Sequence, residues 1–166
     1  GEPVIALHGW LDNAASFSAL AEAWAVAGHR LRLVAVDLAG HGRSDHRARS
    51  ANGHFVDAVA DVFDVFDALG LDRACVIGHS MGAGIASLAA GTCPERVRRL
   101  VLLDGLGPLS TPPEAAPEQL ARALKRRRET IDRVPKRYES RRAMQERALA
   151  VNRTLTAEAV ARLHDR

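Results

Sequence analysis

One short stretch of the sequence combines a nucleophilic side chain with the glycines that a very tight turn requires. It is Gly78-His79-Ser80-Met81-Gly82, a G-x-S-x-G pattern. A serine on a strained strand-to-helix turn, the nucleophile elbow, leaves room only for small residues two positions before and after it. The hydroxyl then projects clear of the sheet, and the following helix points its N–H groups at incoming negative charge. The pattern predicts Ser80 as a nucleophile, with Gly78, His79 and Gly82 as supporting residues.

A second loop, His8-Gly9-Trp10, could supply what such a serine needs next. The tetrahedral intermediate of acyl transfer carries an oxyanion, which an oxyanion hole of two hydrogen-bond donors stabilises. One donor is the backbone N–H after the nucleophile, here that of Met81, and the other comes from the loop after an earlier strand. We assign the second donor to the N–H of Trp10. We treat His8 and Gly9 as supporting residues, and we expect the His8 side chain to tether the loop.

A serine hydroxyl also needs a base, which is usually a histidine oriented by a carboxylate. Asp104 ends a predicted strand and is the candidate acid, while the alternative is that it caps a helix or braces its loop. Asp37 also ends a strand, but it precedes Ser80 in the chain and is expected to brace its own loop. The histidines of the sequence are poor substitutes for the base. Among them, His41 lies in a turn, His79 lies beside the nucleophile and His164 lies in a charged C-terminal stretch.

Nothing in the sequence implies a metal or an organic cofactor. Cys75 and Cys93 have no second Cys or His at metal-ligand spacing, and a phosphate-binding loop of the G-x-x-x-x-G-K type is missing. Two cysteines are too few for a disulfide framework and favour a reducing compartment, so we expect a cytoplasmic location.

The composition narrows the possible partners. Of the 166 residues, 47% are hydrophobic and 26% are charged, which is typical of a globular protein and argues against intrinsic disorder. No apolar run approaches the ~20 residues of a membrane-spanning helix. Aromatic residues make up only 4%, which is too few for stacking on single-stranded nucleic acid. The basic residues after Leu120 alternate with glutamates and indicate a solvated helical face. We therefore expect a small-molecule substrate, no nucleic acid and no membrane span.

The candidate residues stand at the ends of predicted strands, and these strands alternate with helices. Strands are predicted at Val4–Leu7, Leu31–Val36, Ala74–Ile77 and Arg99–Leu103, and helices at Ser16–Ala27, Phe55–Leu69 and Met81–Gly91. Apolar strands separated by helices indicate a parallel sheet covered on both faces. In open sheets of this kind a site forms at the carboxyl ends of the strands, where the strand order reverses. That rule predicts that Trp10 and Ser80 lie together.

The composition changes after the last predicted strand. Pro, Ser, Thr and Gly dominate from Gly107 to Pro117 and predict a loop, beyond which the sequence is helical and charged. We predict an α/β core over residues 1–106 and a helical cap or lid segment over residues 107–166. The chain begins with Gly and ends inside a predicted helix, so we expect it to be a piece of a longer protein.

In this order, the motifs resemble those of the α/β-hydrolase superfamily. The matching residues are His8-Gly9-Trp10, Asp37-Leu38-Ala39-Gly40-His41-Gly42-Arg43-Ser44 and Gly78-His79-Ser80-Met81-Gly82. Two further stretches resemble the serine hydrolase-like protein group more narrowly. They are Gly9-Trp10-Leu11-Asp12-Asn13-Ala14 with Ser16-Phe17, and Leu102-Leu103-Asp104 with Leu106-Gly107.

The resemblance implies an α/β-hydrolase fold in which this segment holds the third to sixth strands of a larger sheet. It implies a helical cap that shapes the substrate pocket, and a catalytic histidine after a final strand that this sequence does not contain. Some relatives carry the acid where Asp104 stands, and more carry it one strand later. The expected function is a serine hydrolase acting on a carboxylic ester or related acyl compound, with the fragment alone inactive. The alternative is a non-catalytic binding protein of the same fold.

Overall fold

The computed structural model describes residues 1–47, 55–107, 110–131, 137–152 and 154–164. Its first part alternates strands with helices: β1 (Glu2–Leu7), α1 (Ser18–Val26), β2 (Leu31–Val36), α2 (Phe55–Ala68), β3 (Ala74–His79), α3 (Met81–Thr92) and β4 (Val97–Leu103). Its second part is helical: α4 (Ala116–Ile131), α5 (Arg141–Val151) and α6 (Ala157–His164). Two short 3-10 helices lie at Ala14–Phe17 and Pro113–Ala115.

The four described strands form one parallel sheet in the order β2-β1-β3-β4. Leu7 at the end of β1 lies opposite Val36 of β2 and Gly78 of β3. The carboxyl ends of the central strands therefore meet at one edge of the sheet. The chain passes from β1 out to β2 and then back to β3 on the other side of β1, so the strand order reverses there. The predicted parallel sheet with helices on both faces is confirmed.

Alternate side chains of the central strands pack into two apolar layers, as the pleat of a strand requires. Ile5 and Leu7 of β1 face a layer to which α2 contributes Val62 and Phe66, all of them fully buried. Val4 and Ala6 face the opposite layer, which is closed by Phe17, Leu20 and Trp24. The buried side chains of α2 therefore form the apolar face that covers one side of the sheet.

The first helical segment begins differently from the prediction. The sequence predicts a helix that starts at Ser16, but a 3-10 helix starts earlier, at Ala14, and is capped by Asn13, whose side-chain oxygen accepts the N–H of Ala15 at 2.9 Å. Asp37 accepts the N–H of Ala14 at 2.7 Å and holds this turn against the end of β2. These two carboxyl and amide acceptors satisfy the early N–H groups, so the tight turn forms before α1 begins at Ser18.

The C-terminal segment is more helical than the sequence suggests, and its last helix contacts the first loop. Part of the predicted loop over residues 107–117 forms the 3-10 helix and the start of α4. Val160 of α6 is buried, and Asn13 donates its side-chain N–H to the carbonyl of Leu163 at 2.9 Å. Arg162 pairs with Glu22 of α1 at 2.6 Å. Across the described ranges, no helix is both long enough and apolar enough to cross a membrane.

Candidate active site

The turn between β3 and α3 holds Ser80 in a backbone conformation that few residues other than glycine adopt. Its φ is 49° and its ψ is −110°, and its side chain is exposed. The N–H of Ser80 donates to the carbonyl of Leu103 at 2.9 Å, and its own carbonyl accepts from Ala83 at 3.0 Å. These bonds hold the strained residue between the end of β4 and the first turn of α3.

The two glycines of the motif are required by close backbone contacts. A Cβ on Gly78 would lie 2.3 Å from the carbonyl oxygen of Gly82, and a Cβ on Gly82 would lie 2.2 Å from that of Leu7. Both distances are far inside van der Waals contact. The turn can therefore pack against the end of β1 only with glycine at these two positions, which is the steric reason expected from the sequence.

The loop after β1 lies beside this turn. A Cβ on Gly9 would be 3.0 Å from Nδ1 of His79 and 3.5 Å from Cβ of Ser80, so the backbone of Gly9 runs directly along both residues. Leu11 has a φ of 59°, which bends the loop away from the strand direction. The loop and the nucleophile turn are adjacent, as the reversal of strand order predicts. This adjacency is the arrangement that the proposed pair of donors, Trp10 and Met81, requires.

His8 is completely buried and connects β1 with β2. The N–H of Leu38 donates to its Nε2 at 3.0 Å, so its proton lies on Nδ1, which donates to the carbonyl of Gly9 at 2.8 Å. Burial lowers the pKa of His8, and the neighbouring His41 lowers it further, while its bond to Gly9 acts in the opposite direction. Both ring nitrogens are occupied by the backbone, which supports a tethering role and argues against a role as base.

A row of rings continues from His8 to the surface of the loop. The His8 and His41 ring centroids are 5.1 Å apart, and the Trp10 ring meets His41 edge-on at 5.6 Å. The indole of Trp10 is 68% exposed, and the His41 ring packs against it. The sequence placed His41 in a turn, but it carried no signal that this turn packs under Trp10.

Asp37 organises the loop that carries His41. Its two carboxylate oxygens accept the N–H groups of Ala14 at 2.7 Å and Arg43 at 3.0 Å. Its carbonyl accepts the hydroxyl of Ser44 at 2.6 Å. A Cβ on Gly42 would collide with the Asp37 carboxylate at 2.3 Å, so the loop folds closely around this side chain. These contacts are those of a residue that braces its own loop.

Asp104 follows β4 and faces the same cavity as Ser80. Its φ is 53°, a left-handed conformation that aspartate tolerates better than most residues. Its side chain is exposed and makes no hydrogen bond or ion pair within the described part of the chain. The neighbouring Gly105 approaches the nucleophile turn, since a Cβ there would be 3.3 Å from the carbonyl of Ser80. A loop-bracing role for the Asp104 carboxylate therefore has no contact to support it.

A cavity of about 700 Å³ opens beside the nucleophile. It is lined by Trp10, Phe55, Ser80, Met81, Gly84, Leu88, Asp104, Gly105 and Gly107. Sequence reasoning missed Phe55, Gly84 and Leu88. A signal existed for the two residues of α3, because Met81, Gly84 and Leu88 follow helical spacing and share one face. Phe55 had no such signal, since only the folded chain brings the start of α2 to this place.

No histidine of the described residues is hydrogen-bonded to Ser80. His79 is adjacent in sequence, but its ring lies along Gly9.

The described residues also contain no group of His, Cys, Asp and Glu side chains that could hold a metal ion. Cys75 lies in β3 next to Glu2, and burial followed by its hydrogen bond to Glu2 raises the pKa of its thiol.

Comparisons with known proteins agree with this geometry. A family model described as "alpha/beta hydrolase fold" matches residues 2–154. A serine hydrolase-like protein of Dictyostelium discoideum is 37% identical over 165 residues, which are 99% of this chain and 45% of that protein. A serine hydrolase-like protein of Danio rerio is 42% identical over 111 residues, covering 67% of this chain and 33% of that protein.

Two solved structures are similar over nearly the whole chain. A hypothetical protein of Pseudomonas aeruginosa has a TM-score of 0.87 and 42% identity, covering 100% of this chain and 57% of that one. The thioesterase domain from the curacin biosynthetic pathway has a TM-score of 0.79 and 27% identity, covering 99% of this chain and 58% of that one. The chain thus spans about half the length of these relatives.

Proposed function

This chain belongs to the α/β-hydrolase fold family, and from that premise we propose that it carries the nucleophile of a serine hydrolase. The substrate class is a carboxylic ester or a related acyl compound. The observation that carries the proposal is the backbone of Ser80. A non-glycine residue is held at a φ of 49° on a turn closed by two obligatory glycines, with its hydroxyl exposed to a cavity. Strain of this kind persists where the surrounding structure enforces it, and it clusters at reactive sites.

In the proposed reaction, Ser80 Oγ attacks the carbonyl carbon of the substrate while a base takes its proton. The oxyanion that forms is bound by the backbone N–H groups of Trp10 and Met81. The tetrahedral intermediate collapses, the alcohol leaves with the proton from the base, and water then hydrolyses the acyl-enzyme. Asp104 is the candidate for the acid that orients the base. As the resemblance implies, the proposed base is a histidine outside these 166 residues, and no histidine of the described residues is hydrogen-bonded to Ser80.

A second candidate function is a non-catalytic binding protein with the same fold. The observation in its favour is the same lack of a histidine on Ser80 among the described residues. The two candidates differ in whether the Ser80 hydroxyl can be activated in the full-length protein. A non-catalytic binding protein would release a bound acyl compound unchanged, whereas a hydrolase would cleave it.

The test is covalent labelling of the full-length protein with a fluorophosphonate probe, which reacts with activated serines. We expect labelling that disappears in Ser80→Ala. Ser87→Ala is the matched control, because Ser87 lies on the same helix but donates its hydroxyl to the carbonyl of Ala83 at 2.8 Å. Labelling that survives Ser80→Ala would overturn the assignment of the nucleophile. An unlabelled but folded protein that still binds esters would favour the second candidate.

A further inference from the structure

We propose that the cavity beside Ser80 binds the acyl group of the substrate as an uncharged apolar chain of about eight carbons. This inference rests on the proposed function and adds the substrate class to it. It depends on three features of the cavity, namely the chemistry of its walls, its direction along α3, and the position of the nucleophile at one end.

The walls are apolar away from the nucleophile. Trp10, Phe55, Met81 and Leu88 supply the large side chains, and Asp104 carries the single charge among the described residues that line the cavity. Phe55 is 37% exposed and Trp10 is 68% exposed, so both present apolar surface that a ligand can cover. An apolar chain placed between them would remove that surface from water, which is favourable in proportion to the area covered.

The cavity runs along one face of α3. Met81, Gly84 and Leu88 are spaced by three and four residues, so they lie in a row that begins next to Ser80. Seven residues at 1.5 Å each make this row roughly 10 Å long. An extended chain of single bonds advances about 1.2 Å per bond, which is a residue's 3.3–3.6 Å divided over its three backbone bonds. About eight bonds therefore fill the row.

In the middle of the row, Gly84 lines the cavity without a side chain. A chain can lie against the helix backbone there, between Met81 at one end and Leu88 at the other. A polar or charged group in this position would lose its water without gaining a partner, because Met81 and Leu88, the side chains of the row, are apolar. The cavity therefore favours plain alkyl chains over hydroxylated or carboxylated acyl groups.

The first experiment measures kcat/KM of the full-length protein for p-nitrophenyl esters of increasing acyl length. We expect an increase of about two- to fourfold per added CH₂ from acetyl to octanoyl, which corresponds to partial or full burial of each methylene. We expect the increase to end near octanoyl. A half-ester of the same length with a terminal carboxylate should react at least about tenfold more slowly. A profile that is flat, or highest for acetyl, would overturn the inference and leave the proposed hydrolase intact.

The second experiment compares neighbouring variants at the mouth of the cavity. Phe55→Ala removes a wall and should lower kcat/KM for octanoyl by about tenfold, with the acetyl ester changed less than about twofold. Val56→Ala is the matched control, because Val56 is the next residue of α2, is 70% exposed and does not line the cavity. Leu88→Phe shortens the row and should move the optimum to shorter chains. Equal effects of Phe55→Ala and Val56→Ala on octanoyl would contradict the assignment of this wall.

A binding experiment separates the cavity from catalysis. Ser80→Ala protein that also carries Trp24→Phe retains Trp10 as its reporter within these 166 residues, and methyl octanoate is the probe. We expect a saturable change in Trp10 fluorescence, with the Kd raised about tenfold or more by Phe55→Ala. Saturable binding without Ser80-dependent hydrolysis of any ester would overturn the proposed hydrolase while retaining the alkyl-chain site. Absence of saturable binding would overturn the site itself.

Discussion

At the scale of single residues, His8 and Trp10 of the first loop have different environments although they are only two positions apart. His8 is buried and uses both ring nitrogens on backbone groups of Leu38 and Gly9. Trp10 is exposed, and its indole rests on His41 at the mouth of the cavity. The first residue therefore fixes the loop to the sheet, while the second has an apolar surface at the cavity and is the proposed source of an oxyanion donor.

We expect His8 to make the stability of the fold depend on pH. Because burial lowers its pKa in the folded state, the unfolded chain binds a proton at higher pH, near the usual value of 6.5. The unfolded state then holds more protons as the pH falls below about 6.5, so the free energy of unfolding should decrease on that side. A protonated ring would also set an N–H against the N–H of Leu38.

The check is Tm measured from pH 7.5 to pH 5.5. We expect the wild-type Tm to fall on acidification, and we expect His8→Asn to fall less steeply from a lower starting value. His29→Asn is the control, because His29 is exposed in the loop before β2 and should leave the slope unchanged. A wild-type slope equal to that of His8→Asn would show that this histidine does not couple folding to pH.

Trp10 is proposed to act through its backbone, which can be tested apart from its ring. Trp10→Phe keeps the N–H and should retain most of the esterase activity of the full-length protein. Trp10→Pro removes the N–H and should lower kcat by about 10²–10³, the usual effect of losing one oxyanion donor. Steady-state kinetics on a short acetyl ester measures both variants with little contribution from the cavity walls. Equal losses in the two variants would mean that the ring, and not the N–H, is what matters.

At the scale of elements, the junction of β3 and α3 depends on how closely it packs against β1. Gly78 and Gly82 leave no space for a methyl group, because carbonyl oxygens of the turn and of Leu7 occupy it. The helix therefore begins directly against the end of the central strand. This contact sets the direction in which Ser80 projects and the face of α3 that lines the cavity.

A glycine pair on the same helix tests this packing. Gly82→Ala should lower the free energy of unfolding by about 2 kcal/mol or more, because its methyl group would overlap the Leu7 carbonyl. Gly91→Ala is the control, since nothing lies within 4 Å of a Cβ there, and it should stabilise the helix by up to about 1 kcal/mol. Urea unfolding measures both. Similar stabilities for the two variants would contradict the close packing of the turn.

At the scale of the whole molecule, the described sheet has a well-covered centre and open edges. Of the hydrophobic side chains of β4, Leu100, Val101 and Leu103 are 37–45% exposed.

Of the groups that catalysis needs, the described residues provide the proposed nucleophile, two candidate donors and a candidate acid, and none provides a base hydrogen-bonded to Ser80. Triad members act as a unit, so a nucleophile without its base forfeits most of the rate enhancement.

We therefore expect residues 1–166, purified alone, to show no ester hydrolysis that depends on Ser80. The assay compares this segment with the same segment carrying Ser80→Ala, using a short p-nitrophenyl ester. Circular dichroism of both samples confirms that the helices and strands are formed. A clear difference in rate between the two would contradict the expectation and would direct attention to His41 and His79 as bases.

The sequence alone determined the parallel sheet, the strand that carries the nucleophile and the glycines of its turn. These features are local, because apolar runs, helical spacing and tight turns are each set by residues close together in the chain. It also placed Trp10 near Ser80, since a reversal of strand order brings the ends of β1 and β3 to one edge. Two local predictions were wrong: a 3-10 helix capped by Asn13 begins at Ala14, before the predicted helix start at Ser16, and part of the loop predicted over residues 107–117 is helical.

The tertiary structure decided what surrounds the nucleophile. Phe55 comes to the cavity from a helix 25 residues upstream of Ser80, and α6 reaches the first loop through a bond between Asn13 and Leu163. His41 supports Trp10 through ring contacts made by two different loops. Contacts of this kind depend on the packing of whole elements, and side-chain spacing within one segment carries no information about the segment that it will meet.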